Sequence, residues 1–425
     1  MDLTTRAAAL KFQGKPIFDS YSEMFVETMK GKGGAEQREL AYVMGEGFDG
    51  ALGHLLTMAQ DDIQPGRMAK AADLFFKLSG LTWWTDAMRA GQSRMQAAYL
   101  GSLADRGFAE LPDAMRHTLG LHNIGEAQWE ALRGATRELD GRRYMTPDQV
   151  RGLDDSVIDT LIPADRLAAV QKADAEQAAA MMEGLRESAR LDLDLALRRF
   201  QADEINFGMI ETDEASRRLV LRGTRPGTVI GEAARFMAQF KGFPAAYTNR
   251  VVGRALYGGA GATRSDPGHF VHLMIATTVL GYGAMSAKDI LRGYWPPRDP
   301  SDPKTILAAL VQGGGAGIFG DFFFGEASRF GGGITATIAG PVAGEADAMI
   351  TLLQKARGGD ATAGDALNLA VRNTPFANLW YARPALEMLF LSELRELARP
   401  GYLRRQERRR RKDMGQEKWL PSSIW

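Results

Sequence analysis

The sequence predicts an all-α fold, a multi-helix bundle or elongated helical array with a glycine-rich C-terminal segment. Three observations lead there. Apolar residues recur at three- and four-residue spacing along most of the chain, and the alternation that marks a half-buried strand is almost absent. Residues 164–205 form a long uninterrupted helical pattern rich in Ala, Leu, Arg and Glu. The 48 glycines, which cost helix stability in water, are unevenly spread and dense in the C-terminal segment.

Taken in order, residues 20–30 place Tyr21, Met24, Phe25 and Met29 at helical spacing. Residues 67–79 and 82–104 read as two helices broken at Ser79-Gly80. Helices over 126–137 and 147–160 follow, the second opened by Thr146 as N-cap and Pro147 in the first turn. The 164–205 pattern is either two helices or one long amphipathic helix. Residues 213–222 are helical in pattern, 223–228 form a turn, and a helix over 229–242 stops at Pro244. Gly258, Gly259 and Gly261 mark a break. An apolar helix spans 269–293, and Pro296, Pro297, Pro300 and Pro303 make the next stretch an extended loop. The helix 376–399 is apolar on one face, and 402–413 is an Arg-rich helix. The expected organisation is an N-terminal helical part (1–160), a long-helix middle part (161–260), and a C-terminal part (261–425) that is apolar, Gly-rich and ends in a basic tail.

Composition narrows the function classes. With 425 residues and 45% hydrophobic content, a sizeable core is available and wholesale disorder is not expected. The absence of Cys excludes a disulfide framework, a Cys-ligated metal site and a thiol nucleophile. The N-terminus lacks the basic-then-apolar pattern of a secretory signal. The formal net charge is zero, but residues 395–425 hold ten Lys/Arg and four Asp/Glu, a net of +6, so the remainder carries −6.

Catalytic patterns are lacking. There is no P-loop, no GxSxG, no HEXXH and no dinucleotide fingerprint. His269 and His272 could share a helical face, yet no acidic residue completes a metal set beside them. His117 and His122 are five apart, a poor helical spacing for a shared metal, and His54 stands alone. The carboxylate pairs Asp154-Asp155 and Asp203-Glu204 fit solvated helix faces. The reading is therefore non-enzymatic, with no catalytic, cofactor-binding or metal residue assigned.

Three segments invite interaction instead. Residues 311–341 combine dense glycine with Phe319, Phe322, Phe323, Phe324 and Phe330, a candidate membrane or partner surface. Either a tightly packed helical hairpin or a segment able to enter a bilayer fits this composition. Asp321, Glu326 and Arg329 exclude a conventional transmembrane helix there. Residues 272–287 run without a formal charge, short for a span and suited to a core helix. Arg404, Arg405, Arg408, Arg409, Arg410, Arg411 and Lys412 are candidate contacts for phosphate, as anionic lipid or DNA backbone. Tyr402, Trp419 and Trp425 flank that run.

Several stretches resemble one protein family. They are LFFKLSGLTWWTDAMR (74–89), GTRPGT (223–228) with Gly231, Glu232, Arg235 and QFKGFP (239–244), then GYGAMSAKD (281–289), RDPSDPK (298–304), GIFGDFFFG (317–325), RFGG (329–332), NLWYARPAL (378–386) and PGYLRR (400–405). Together they cover about residues 70–415. They are similar to the C-terminal region of the large internal virion (ejection) proteins of tailed bacteriophages and the related large polyvalent proteins of prophages. The resemblance implies a mostly α-helical protein packaged in the virion interior that leaves ahead of the genome and helps build a conduit across the host cell envelope. Implied partners are other virion proteins, further copies of the chain, host membrane lipid and, non-specifically, DNA backbone. A chain without disulfide or metal staples suits threading through a narrow tail. Family members often carry a long N-terminal part, in some cases with a peptidoglycan-cleaving transglycosylase domain. No such domain is read here, so wall lysis is not carried over and no catalytic residue transfers. A split gene, a prophage remnant or a separately encoded subunit would account for a chain that begins near the shared region.

The expected function is thus a structural internal virion protein that assists genome ejection, with 272–287 and 306–343 as membrane- or partner-facing surface. A virion scaffold or tail-assembly protein with no membrane role is the alternative, and a lytic enzyme with an unrecognised site is the second.

Overall fold

The computed structural model describes residues 2–44, 74, 78–210, 228, 245–257, 267–314, 349–359, 362–374, 386–398 and 400–419. They are predominantly helical, with two short antiparallel ladders, and the fold is all-α. They fall into two units, Asp2–Ile210 and Glu211–Trp425.

The first unit is organised by one helix whose middle has no solvated face. Following α1 (Asp2–Phe12), α2 (Ile17–Lys30) and α3 (Ala35–Val43), helix α4 (Leu81–Leu103) starts at the Gly80 break, and its residues 91–100 are all buried. A helix buried all round is ordinarily apolar all round. This one carries Gln92, Arg94 and Gln96 among Met88, Met95, Tyr99 and Leu100. Each polar group therefore needs a partner inside the fold. The Arg94 side chain donates to Glu27 Oε2 at 2.7 Å and to the Gly31 carbonyl at 2.8 Å. Gln96 exchanges hydrogen bonds with Gln13 at 3.0 and 2.8 Å, and Gln13 also donates to Glu204 at 2.7 Å. Arg6 donates to Thr28 Oγ1 at 2.9 Å, and Thr5 donates to the Gly208 carbonyl at 2.6 Å.

These bonds set the rotation of α2. Glu23 and Glu27 turn inward beside Met24; Arg142 reaches Glu23 at 2.7 Å, and Lys15 also pairs with it. Tyr21, Met24, Phe25 and Met29 consequently do not share one buried face. Met24 is fully buried, whereas Phe25 is 48% and Met29 87% exposed.

After α4 the chain continues through α5 (Asp113–Gly120) and α6 (Glu126–Leu132). The helix expected over 126–137 stops at Leu132, and 136–145 form a hairpin, β1 (Thr136–Leu139) with β2 (Arg142–Met145), in which Leu139 pairs with Arg142. Asp140 and Gly141 both take positive φ, 53° and 68°, as a two-residue turn between strands of this twist requires. The helix expected over 147–160 is also divided. Pro147–Gly152 is a 3-10 turn after Thr146, Leu153 is extended and enters the core, and α7 (Asp155–Asp159) restarts at Asp154.

The 164–205 pattern resolves into α8 (Ala164–Val170) and α9 (Ala175–Gly208), the latter capped by Asp174, whose carboxylate accepts from the Gln177 N–H at 2.9 Å. The C-terminal half of α9 supplies Leu193, Leu197 and Phe200 to a core with Leu10, Leu103, Met115 and Trp129. Toward its N-terminal half, Arg186 holds Asp159 at 2.7 Å and Asp155 at 2.8 Å.

In the second unit, a π-helical turn (Tyr247–Val252) leads into α10 (Gly253–Tyr257). Helix α11 (Pro267–Leu291) and α12 (Pro303–Gly313) pack against each other, with β3 (Tyr294–Trp295) and the proline-rich loop between them. Pro303 opens α12 rather than extending the loop, because Asp302 caps it by accepting from the Lys304 N–H at 3.2 Å. Leu273, Thr277, Gly281, Met285 and Asp289 line the inward face at four-residue steps. The backbones touch at Gly281 and Gly313. A Cβ on Gly281 would lie 2.1 Å from the Ala309 carbonyl oxygen, and one on Gly313 1.9 Å from that of Thr277. The unit continues with α13 (Ala363–Asn373), a π-helical turn (Glu387–Leu391), α14 (Ser392–Ala398), α15 (Tyr402–Met414) and β4 (Glu417–Lys418), which pairs with β3.

Removing one partner of a buried ion pair leaves the other charge stranded. Arg94→Leu is expected to cost about 3 kcal/mol at neutral pH, read by urea unfolding. Burial by itself raises the pKa of Glu27, but bonds from Lys30 and Arg94 outweigh it and hold the carboxyl below its ordinary range. Its stabilising contribution is therefore present above the ordinary carboxylate pKa and is lost as pH falls through the lower folded value. Without Arg94 that depression weakens, so the stability gap between the two proteins should narrow on acidification.

Candidate functional site

The basic helix α15 is anchored before it is presented. Pro400 and Gly401, the latter with φ 78°, separate it from α14. The Glu396 carboxylate spans that junction, accepting from the Gly401 N–H at 2.6 Å and the Leu403 N–H at 2.9 Å. Those two backbone donors hold Glu396 below its ordinary carboxylate range and satisfy the first turn of α15. Arg395 pairs with Glu387 and lies 5.9 Å from the centroid of the Tyr402 ring.

The second anchor is Asp289, at the end of the inward line of α11 and 1% exposed. Its carboxylate accepts from Arg298 at 2.8 and 3.4 Å, from Gln416 at 3.2 Å and from Arg410 at 3.5 Å. Gln416 also donates to the Pro296 carbonyl at 3.1 Å, and Tyr282 donates to that of Arg298 at 2.7 Å. The Arg410 guanidinium sits 3.8 Å from the Tyr294 ring centroid, close enough for a cation–π contact. One carboxylate thereby ties together α11, the proline-rich loop, α15 and the segment after it.

This separates the seven cations singled out in the sequence. Arg410 faces inward, donating to Asp289 and Gln416 and lying over the Tyr294 ring, unlike the other six cations of the run. Arg404, Arg405, Arg408, Arg409, Arg411 and Lys412 are exposed. Arg409 meets Asp413 at 3.3 Å and Arg411 meets Glu417 at 3.1 Å, both exposed pairs of the kind worth roughly 0–1 kcal/mol. Arg404, Arg408 and Lys412 recur at four-residue steps on one face and carry no ion pair among the described residues.

On α11 the side opposite the glycine contact is apolar and open. Val271, Ile275 and Val279 are 53%, 60% and 62% exposed. Gly268–Leu291 is long and apolar enough to cross a membrane, and only 22% of its most apolar window is buried. The stretch 272–287 thus has a packed face and an open one. Phe319, Phe322, Phe323, Phe324 and Phe330 lie outside the described residues, as do His54 and most of 306–343 beyond Gly314.

The histidines and acid pairs have structural neighbours. His269 is buried with its ring 6.0 Å from that of His272, and His122 packs edge-on against Phe200 and lies 3.7 Å from Asp203. Asp155 is held by Arg186 and Arg190, and Glu204 by Gln13. Among the described residues no group of three or more His, Asp or Glu is arranged to hold a metal. Of the clamp residues, Tyr294 and Gln416 were not singled out from sequence, and Asp289 and Arg298 stood there only within the stretches 281–289 and 298–304, with no clamp role. One signal was present: Asp289 continues the four-residue line of Leu273, Thr277, Gly281 and Met285, which points it into the hairpin.

Asp289→Asn should free α15 from that hairpin. The expected result is at least tenfold faster tryptic cleavage within 404–412, followed by mass spectrometry, and a stability loss of about 2 kcal/mol because both arginines keep some water. Arg408→Ala should change neither. No family model, curated protein or solved structure matches this chain.

Proposed function

We propose that this chain is a non-enzymatic structural protein of a bacteriophage particle, carried in the virion interior, that assists genome delivery by engaging anionic lipid of the host envelope through its C-terminal unit. The observation that carries the lipid contact is the pairing of an open apolar face on α11 with a clamped cationic helix, α15. Val271, Ile275 and Val279 offer the acyl-chain contact, and Arg404, Arg405, Arg408, Arg409, Arg411 and Lys412 the phosphate contact. Asp289 argues for contact along the helix rather than a simple span, since α11 is held from the side by Arg298, Arg410 and α12. The sequence resemblance supports the virion setting. The same cations suit DNA backbone, whose recognition would be equally insensitive to sequence.

Liposome flotation of the purified protein tests this. Binding should be stronger with anionic than with neutral vesicles. Ile275→Glu with Val279→Glu should abolish it, because two carboxylates would have to enter the interface. Arg404→Ala, Arg408→Ala and Lys412→Ala together should weaken anionic binding by about 3 kcal/mol, roughly a hundredfold, at about 1 kcal/mol per cation. Absence from every vesicle fraction would move the reading to a packaged scaffold or tail-assembly protein. Clearing of peptidoglycan in a zymogram would move it to a lytic enzyme.

A further inference from the structure

Helix α2 is amphipathic in reverse. Its buried face is Ser20, Glu23, Met24 and Glu27, and its open face is Phe18, Ser22, Phe25, Val26 and Met29. Phe18 and Met29, at the two ends, are 86% and 87% exposed. Monomeric proteins rarely leave a contiguous apolar stripe of this kind in water. Its position is forced, because Glu23 and Glu27 are committed to Arg142, Lys15 and Arg94 on the other side.

We infer that this stripe is the seat of a two-fold contact with a second copy of the chain, the two α2 helices lying antiparallel. Phe18, Ser22, Phe25 and Met29 are spaced four, three and four residues apart, a pattern that reads the same in both directions. It is also the seam spacing of paired helices. Antiparallel pairing about a two-fold axis midway along the stripe sets Phe18 against the second copy's Met29, and Ser22 against its Phe25. Such a contact is isologous, each copy using the same patch. Charge agrees with that direction. Asp19 and Lys30 lie on the same flank at opposite ends, so antiparallel pairing brings each Asp19 beside the other copy's Lys30, whereas parallel pairing places that flank of the two copies on opposite sides of the seam and makes no such contact. Lys30 bonds Glu27 at 2.8 Å within its own helix, so pairing with the second copy's Asp19 would share or exchange that partner. Small Ser22 beside the axis lets the larger residues on either side interleave.

Trp83 extends the patch at one end. It is 55% exposed and sits against the C-terminus of α2, where a Cβ on Gly31 would come within 3.2 Å of its ring. A contact of two helices, each about 21 Å long, with one added indole is small. It therefore belongs with weak, concentration-dependent associations rather than obligate dimers. The inference is independent of the membrane reading, which concerns other helices.

The absence of cysteine in the natural chain makes the test direct. Sedimentation equilibrium should show a monomer–dimer equilibrium, with Ser22→Glu raising its dissociation constant at least tenfold by placing two carboxylates beside the axis. Ser22 is exposed, and an unchanged circular dichroism melt would confirm that the fold survives. Under mild oxidation Ser22→Cys should give a disulfide-linked dimer well ahead of Ala127→Cys, an exposed position on α6. A protein that stays monomeric at every concentration overturns the inference. So does a dimer unaffected by Ser22→Glu, which would place the interface elsewhere. Equal cross-linking of the two cysteine variants, or a stripe that binds vesicles without self-association, overturns it as well.

Discussion

The first unit depends on Arg94 having a carboxylate inside the fold. A guanidinium on the buried stretch of α4 costs several kcal/mol without a partner, so a neighbouring helix must turn an acid toward it. Glu27 of α2 does so, and Glu23 follows because it lies one turn away on the same face. Gln13, Gln96 and Glu204 extend the same condition to α1 and α9, since each of their polar atoms is also shut off from water. The result is a core in which ordinary apolar packing by Leu100, Trp129 and Phe200 is held in register by a polar seam. Two phenylalanines and a methionine of α2 are left in water, each worth about 1.5–3 kcal/mol if covered. The apolar stripe is a consequence of the ion pair rather than an accident of the surface.

The second unit follows the same rule with a different charge. Asp289 ends an otherwise apolar inward line, and four donors from Arg298, Arg410 and Gln416 converge on it. Because one of those donors belongs to the Arg-rich helix, the clamp fixes which of its residues are structural and which face solvent. The glycine contact works alongside it. Small residues on the packed faces of α11 and α12 bring the backbones together, and this relegates the β-branched Val271, Ile275 and Val279 to the outside. Both units thus leave large apolar residues of one helix outward, Phe18, Phe25 and Met29 on α2 and Val271, Ile275 and Val279 on α11, while acids or glycine share the inward face with Met24, Leu273 and Met285.

Much of the helical framework was legible in the sequence, because a 3.6-residue period and cap residues are local signals. The break at Gly80, the apolar helix expected from 269 and the Arg-rich helix follow from such signals, whereas the break at Gln171–Asp174 was not placed within the 164–205 pattern. The hairpin at 136–145 did not, since Thr-Arg-Glu-Leu and Arg-Arg-Tyr-Met are too short and too charged to alternate. Only Asp140-Gly141 betrayed it. The rotation of α2 was hidden for a different reason. Glu27 meets Arg94 across 67 residues of sequence and Glu23 meets Arg142 across 119, and no window along the chain contains both partners. The same holds for Arg410, indistinguishable within its run until Asp289, 121 residues earlier, is placed beside it. Helical pattern fixes where a helix is, while long-range charge decides which way it faces.

The two open helix faces have a consequence when taken together. In the proposed contact with anionic lipid, each α15 charge would contribute about 1 kcal/mol, weak at physiological salt. Pairing through α2 would place two such surfaces on one particle. Once the first has met an anionic layer, the second meets it at the effective concentration of a tethered partner, and overall retention can rise by roughly 10²–10⁴ without a new contact. A small, concentration-dependent α2 contact then suffices as a control. With both proposed contacts, dilute chains would bind an anionic layer weakly, and chains at high local concentration would pair and hold. The weakness of each proposed interaction taken singly is what would make their combination sensitive to protein concentration.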